Sequence, residues 1–326
     1  MNSAFRRIAV GLALACSAGA HAQPQDHWPS RPIRMVVPFP AGGGVDALSR
    51  YVAEALGPKL GQSVVVENRP GAATVIAAEA VANAAPDGYT VLVATTSTLV
   101  SNRFQFKKLR YEPDAFVPVS LIGYQPLVIL ANQTLPATDL KGLVEHARKN
   151  PGALSFASFG NGSLSQFSLE MLKLKTGTQM THIPFKGAAE ALPALIGNQV
   201  QLYADTITSS AGYIKNGRLK ALATTGAART QSLPEVPTVA EQGFPGFDMA
   251  SWAGIVMPKN APREAVAKLQ NALSSVLASR EFKDRLLAFG QVLPDQRIGA
   301  GAFAEQIKTD IPKIRDLFRE AGIDPV

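Results

Sequence analysis

The chain has 326 residues, 46% of them hydrophobic and 17% charged, and its 32 Lys and Arg against 25 Asp and Glu give a formal charge of +7. The length suggests two domains, and the composition excludes a disordered, collagen-like or coiled-coil chain. A single cysteine excludes a disulfide scaffold and any thiolate metal cluster.

Residues 1–22 read as a secretory signal peptide. Arg6 and Arg7 form a basic start, Ile8 to Ala20 is an apolar run, and Ala20-His21-Ala22 is the small-x-small pattern before a cut ahead of Gln23. The run is too short for the ~20 residues of a spanning helix. Cys16 does not fit lipoprotein processing, because Leu14 stands two rather than three positions before it. Cleavage would remove both arginines and Cys16, leaving a thiol-free chain suited to an oxidising compartment such as the periplasm. The remaining basic surplus is thin. Its densest cluster, Lys107, Lys108 and Arg110, has no interleaved aromatics, so no nucleic-acid partner is expected.

The elements then follow in two similar passes. Ile33 to Val37 reads as a strand, Gly42-Gly43-Gly44 as a loop, and a helix begins near Val45 with Leu48, Tyr51, Val52, Ala55 and Leu56 at helical spacing. Gly57-Pro58 and Gly61 are expected to end it. Val64 to Val66 reads as a short buried strand, followed by Pro70-Gly71 and an Ala-rich helix, and Tyr89 to Ala94 as the third strand. The apolar run Val117 to Asn132 is too long for one ordinary strand and reads as a crossing between domains. The second pass starts with Leu154 to Ala157, the Gly160-Asn161-Gly162 loop, and a helix opened by Ser163 with Gln166 in a capping-box pattern. His182 to Phe185, a helix through Ile196 and Val200 to Ala204 complete it. Gly44 matches Gly162, Gly71 matches Gly187 and Thr95 matches Asp205, which makes this a duplicated βαβαβ plan. Ala250 to Met257 is a second crossing run. C-terminal amphipathic helices follow, one with Pro262 near its start and one with Pro312 in its first turn or at a kink.

Ligands of open α/β sheets bind beyond the strand C-termini, where glycine loops let backbone N–H groups and helix N-termini approach an anion. Two such loops in duplicated halves point to a carboxylate or phosphate site. Gly42-x-Gly44-x-x-Ala47 with Glu67 imitates a dinucleotide fingerprint, but Pro38 to Ala41 intervene between strand and glycines. No G-x-S-x-G, P-loop or H-E-x-x-H is present, and His27, His146 and His182 are not spaced as a metal pair. Asp46 is expected to serve the helix dipole or to face Asp205 across a cleft. Asp205, at a strand end beside Thr206, is the better ligand candidate. An exported α/β enzyme and a ligand-sensing module remain as alternatives to a binding protein.

Val37-Pro38-Phe39-Pro40-Ala41-Gly42-Gly43-Gly44-Val45-Asp46, Val66-Glu67-Asn68-Arg69-Pro70-Gly71, Pro86-Asp87-Gly88-Tyr89-Thr90, Pro184-Phe185-Lys186-Gly187 and Leu233-Pro234-Glu235-Val236-Pro237-Thr238 occur in this order. In these motifs the chain resembles the Bug-type, TctC-like periplasmic receptors of the tripartite tricarboxylate transporter family. The resemblance implies an α/β, two-lobed periplasmic-binding-protein (Venus flytrap) fold, each lobe a mostly parallel sheet covered by helices. Domain 1 would comprise 23–124 and 249–326, domain 2 125–248, with hinges near 122–128 and 248–254. It implies a monomeric, non-enzymatic receptor without metal or cofactor, which binds a small carboxylate or amino acid and passes it to membrane permease subunits. Phe39, Ala41, Gly42, Gly43 and Asp46 would form one jaw, and Ser158, Asn161, Gly162 and Ser163 the other. Thr95, Ser97, Asp205 and Thr206 would line the selecting pocket, with Lys186 as the nearest cationic clamp. Many relatives carry His-Leu where this chain has Gln166-Phe167.

Overall fold

Apolar runs punctuated by glycine fold here into two copies of one unit. The computed structural model describes residues 28–42, 44–288, 290–291 and 299–325; the expected signal peptide with Cys16, and His27 and Gly43, lie outside them. The first unit is β1 (Ile33–Val37), α1 (Gly44–Leu60), β2 (Val64–Asn68), α2 (Val75–Ala82) and β3 (Thr90–Thr95). A π-helical turn (Ser97–Ser101) leads into the short helix α3 (Asn102–Gln105), the 17-residue strand β4 (Phe116–Asn132) and α4 (Leu140–Lys149). The second unit is β5 (Leu154–Ser158), α5 (Leu164–Thr176), β6 (Met180–Pro184), α6 (Ala188–Ile196) and β7 (Leu202–Thr206). After it come α7 (Ile207–Lys215), β8 (Leu219–Thr224), β9 (Ala250–Pro258), α8 (Arg263–Ala278), α9 (Arg280–Ala288) and α10 (Ala300–Glu320).

Both units have the same topology. β1 pairs in parallel with β2 and β3, and β5 pairs in parallel with β6 and β7. Each third strand then takes an antiparallel neighbour, β9 beside β3 and β4 beside β7. β4 joins the two halves. Its first part runs against β9 as far as Pro126, and from Leu127 onward it pairs with β7, with β8 joining from Val128. The expected long crossing is therefore one continuous strand.

Apolar residues at helical spacing cover the sheets. Leu48, Val52 and Leu56 of α1 and Leu269, Leu273 and Val276 of α8 pack on Ile33, Met35 and Val37. Ala191 and Leu195 of α6 and Ile207 of α7 cover Val128, Leu130 and Tyr203. A further cluster is continuous across both halves, from Val81 and Trp252 to Phe156, Phe167 and Phe318.

Three local expectations need correction. Val64 to Val66 lies on an edge strand with Val65 54% exposed, so it is not a buried strand. Of the two expected stops for α1, Gly61 holds and Gly57-Pro58 does not. The helix runs on to Leu60, because Leu56 and Leu60 lie on one buried face that holds the last turn despite the lost Pro58 N–H. Pro312 sits well inside the 21-residue α10 rather than in its first turn, ahead of buried Ile314, Leu317 and Phe318.

Candidate functional site

The loops after β1 and β5 are built alike. Beyond β1, the Gly42 N–H donates to Asp46 Oδ2 at 2.8 Å, so a side chain four residues on, in the first turn of α1, fixes the glycine. Asn68, at the end of β2, donates to Asp46 Oδ1 (2.7 Å) and to the Phe39 carbonyl (3.0 Å). Arg50 closes the ring through Nε to Asp46 Oδ2 (3.0 Å) and Nη2 to Asn68 Oδ1 (2.8 Å). Burial by itself would raise the Asp46 pKa, but the hydrogen bonds from Arg50, Gly42 and Asn68 outweigh it and hold the carboxyl below its ordinary value.

Beyond β5, the Gly162 N–H donates to Gln166 Oε1 at 2.8 Å, again a side chain four residues on. Ser163 caps α5, accepting from the Gln166 N–H (3.3 Å) and donating to the Gly160 carbonyl (2.6 Å). The expected capping box is thus shifted by one residue: Gln166 reaches the N–H of Gly162, while the N–H of Ser163 bonds to the Gly160 carbonyl. Ser158 is fully buried, accepts from the Gly160 N–H (3.0 Å) and lies 2.7 Å from His182 Nε2. Burial, then the nearby Lys173 charge, lowers the His182 pKa to about 4.

The two loops meet opposite elements. A Cβ at Gly44 would lie 3.1 Å from Gln125 Nε2 and 3.8 Å from Thr208 Oγ1, so the start of α1 faces β4 and α7. Gln105 Nε2, from α3, donates to the Asn161 carbonyl at 2.8 Å. Lys186, Ala41, Gly42 and Asn161 are exposed; Phe39, Ser97, Ser163 and Thr206 are half-buried.

Most of the side chains singled out in the sequence are spent on holding the loops. The Thr95 N–H donates to Thr98 Oγ1 (3.2 Å), and Thr206 caps α7. The Lys186 N–H donates to Glu190 (3.2 Å). Asp205 is fully buried and accepts from Ser209 Oγ at 2.7 Å, while its Oδ1 has no hydrogen-bond partner among the described residues. Burial raises its pKa to about 6, against the lowering by hydrogen bonds from Ser209 and Thr206. Asp46 and Asp205 therefore sit in separate hydrogen-bond sets. Gly43 lies outside the described residues. Glu67 of the dinucleotide-like pattern is held by Arg34 (3.4 Å) and Arg69.

The sequence reading missed the turn after β2, where Ala72, Ala73 and Thr74 all have positive φ (45°, 50° and 77°). Asn102 Nδ2 donates to the Ala73 carbonyl (2.8 Å) and Thr98 Oγ1 to Thr74 Oγ1 (3.1 Å), bracing this turn from the π-helical segment and α3. Gln105 was missed as well. Among the described residues, no cluster of three His, Cys, Asp or Glu could hold a metal, and no helix is long and apolar enough to cross a membrane.

Two βαβαβ units, joined by shared long strands and each with a glycine loop after its first strand, define a two-lobed periplasmic-binding-protein fold. Solved structures share it closely. An R. palustris protein with adipate superposes with a TM-score of 0.84 at 32% identity, covering 92% of this chain and 100% of that one. The periplasmic binding protein BugD gives 0.81 at 36% identity, covering 92% and 100%. MatC from Rhodopseudomonas palustris with bound malate gives 0.79 at 33% identity, covering 89% and 99%. The family described as tripartite tricarboxylate transporter family receptor matches residues 48–322, and the chain belongs to it. It is a solute receptor of a binding-protein family, not an enzyme.

Proposed function

We propose that this receptor captures a small carboxylated solute, a carboxylic acid or an amino acid, between its lobes in the periplasm. It then delivers the solute to the membrane permease subunits of a tripartite tricarboxylate-type transporter. The carrying observation is the matched pair of glycine loops, each at the C-terminal end of a central parallel strand, each opening a helix, and each tied by a side chain four residues on. Such loops suit an anion, because the first turn of a helix offers unbonded N–H groups and partial positive charge. Relatives with adipate and with malate support a carboxylate in this chain. The receptor works as a monomer exported with cleavage after Ala22. Closure bends it near 122–128, where β4 changes partners from β9 to β7 and β8, and near 248–254, where β9 begins.

A thermal-shift panel of small carboxylates, amino acids and nicotinamide nucleotides tests this reading, since a ligand of the native state raises the melting temperature by mass action. Small acids are expected to shift it and nucleotides are not; a shift with nucleotides alone would refute the proposal. Ala41→Glu, which sets a negative charge on the exposed first loop, should weaken carboxylate binding by about tenfold or more, while Ala41→Gln should weaken it less.

A further inference from the structure

Gln105 belongs to the first lobe, yet its carboxamide lies against the second jaw. Nε2 donates to the Asn161 carbonyl at 2.8 Å, and the residue is only 7% exposed. The contact requires Gly162. A Cβ there would collide with Oε1, Cδ and Nε2 of Gln105, and the Gly162 φ of +72° independently favours glycine. The Asn161 carbonyl and the Gly162 N–H are the two ends of one peptide group. Gln166, from the jaw's own helix, holds the N–H end at 2.8 Å, and Gln105, from the opposite lobe, holds the carbonyl end.

On the basis of the receptor reading above, we infer that Gln105 is a positioning residue that latches the second jaw across the cleft. The orientation of the Asn161–Gly162 peptide, and with it the carboxylate grip, is completed only when the lobes close. The latch is nearly balanced. It gains one hydrogen bond to Asn161, but it strands Gln105 Oε1, which is buried without a partner among the described residues. A gained bond and a stranded acceptor oppose each other. The empty receptor is therefore not locked shut, and the solute supplies the difference that holds it closed.

Gln105→Glu tests this directly, because it keeps the side chain's size and removes the donor facing the Asn161 carbonyl. Gln105→Ala is the companion that removes the side chain. Stopped-flow binding of adipate and of malate should show koff raised about tenfold in Gln105→Glu, which sets an acceptor against the Asn161 carbonyl, and raised less in Gln105→Ala, which removes the stranded oxygen together with the bond, with kon unchanged in both. Spin labels at Lys59→Cys and Lys175→Cys of the cleaved chain, which has no other cysteine, report the lobe separation of the empty protein. Gln105→Glu should shift that distribution away from that of the unsubstituted chain, and Gln105→Ala should shift it less, with unfolding temperatures preserved. Identical distance distributions in Gln105→Glu and the unsubstituted protein would overturn the latch. If adipate and malate both fail to bind the unsubstituted protein, those solutes are wrong for the receptor, and the distance measurement still decides the latch.

Discussion

Asp205 and His182, both in the second lobe, are shifted in opposite directions by the same cause. Burial disfavours the charged form, so it raises the carboxyl to about 6 and lowers the imidazole, with help from Lys173, to about 4. For Asp205 the folded state binds its proton more tightly than the unfolded state. Its stabilising contribution is full below 3.8 and is lost as pH rises through 6. Asp205→Asn should therefore stabilise the protein at pH 8 by at most about 2–3 kcal/mol, and the advantage should vanish by pH 4. Melting temperatures across that range check it, and a pH-independent difference would contradict it. For His182 the sign reverses: stability is present above its ordinary 6.5 and lost as pH falls through 4. His182→Gln should flatten that acid limb in the same scan, and an unchanged limb would mean that His182 does not set the response.

The loops that open α1 and α5 depend on single side chains. Asp46→Ala frees the Gly42 N–H, Arg50 and Asn68 at once and should cost about 2 kcal/mol of stability. It should also weaken carboxylate binding, and denaturant unfolding beside a binding isotherm measures both. Much of this architecture was legible in the sequence. Gly44 and Gly162 marked the helix starts, and the repeated strand–glycine–helix grammar gave the duplicated unit, because glycine and apolar period are local signals. The ties themselves were partly legible, since Asp46 stands four residues after Gly42 and Gln166 four after Gly162. Long-range facts were not. Three valines read the same in a central strand as in the edge strand β2, and nothing near Gln105 announces a partner 56 positions away. The left-handed turn at Ala72 to Thr74 was hidden for a different reason: these residues do not ordinarily adopt positive φ, and the brace from Asn102 and Thr98 is remote in sequence.

Across the whole molecule, the lobes are coupled by more than the crossings. The Phe318 ring on α10 lies 4.8 Å from Phe167 on α5 and 6.0 Å from Phe104 on α3, within the cluster that runs through both halves. On the hinge proposed above, opening the cleft slides or parts these rings while β4 bends where it exchanges β9 for β7. Phe318→Ala should therefore shift the empty receptor toward open forms and raise its scattering radius of gyration; an unchanged radius would place the closing force elsewhere. Capture of an acid by a matched pair of glycine loops is tested most directly by calorimetric titration with small carboxylates, amino acids and nicotinamide nucleotides. One small acid bound per chain, with no heat from the nucleotides, is the predicted result. Nucleotide binding in the absence of any response to carboxylates or amino acids would contradict it.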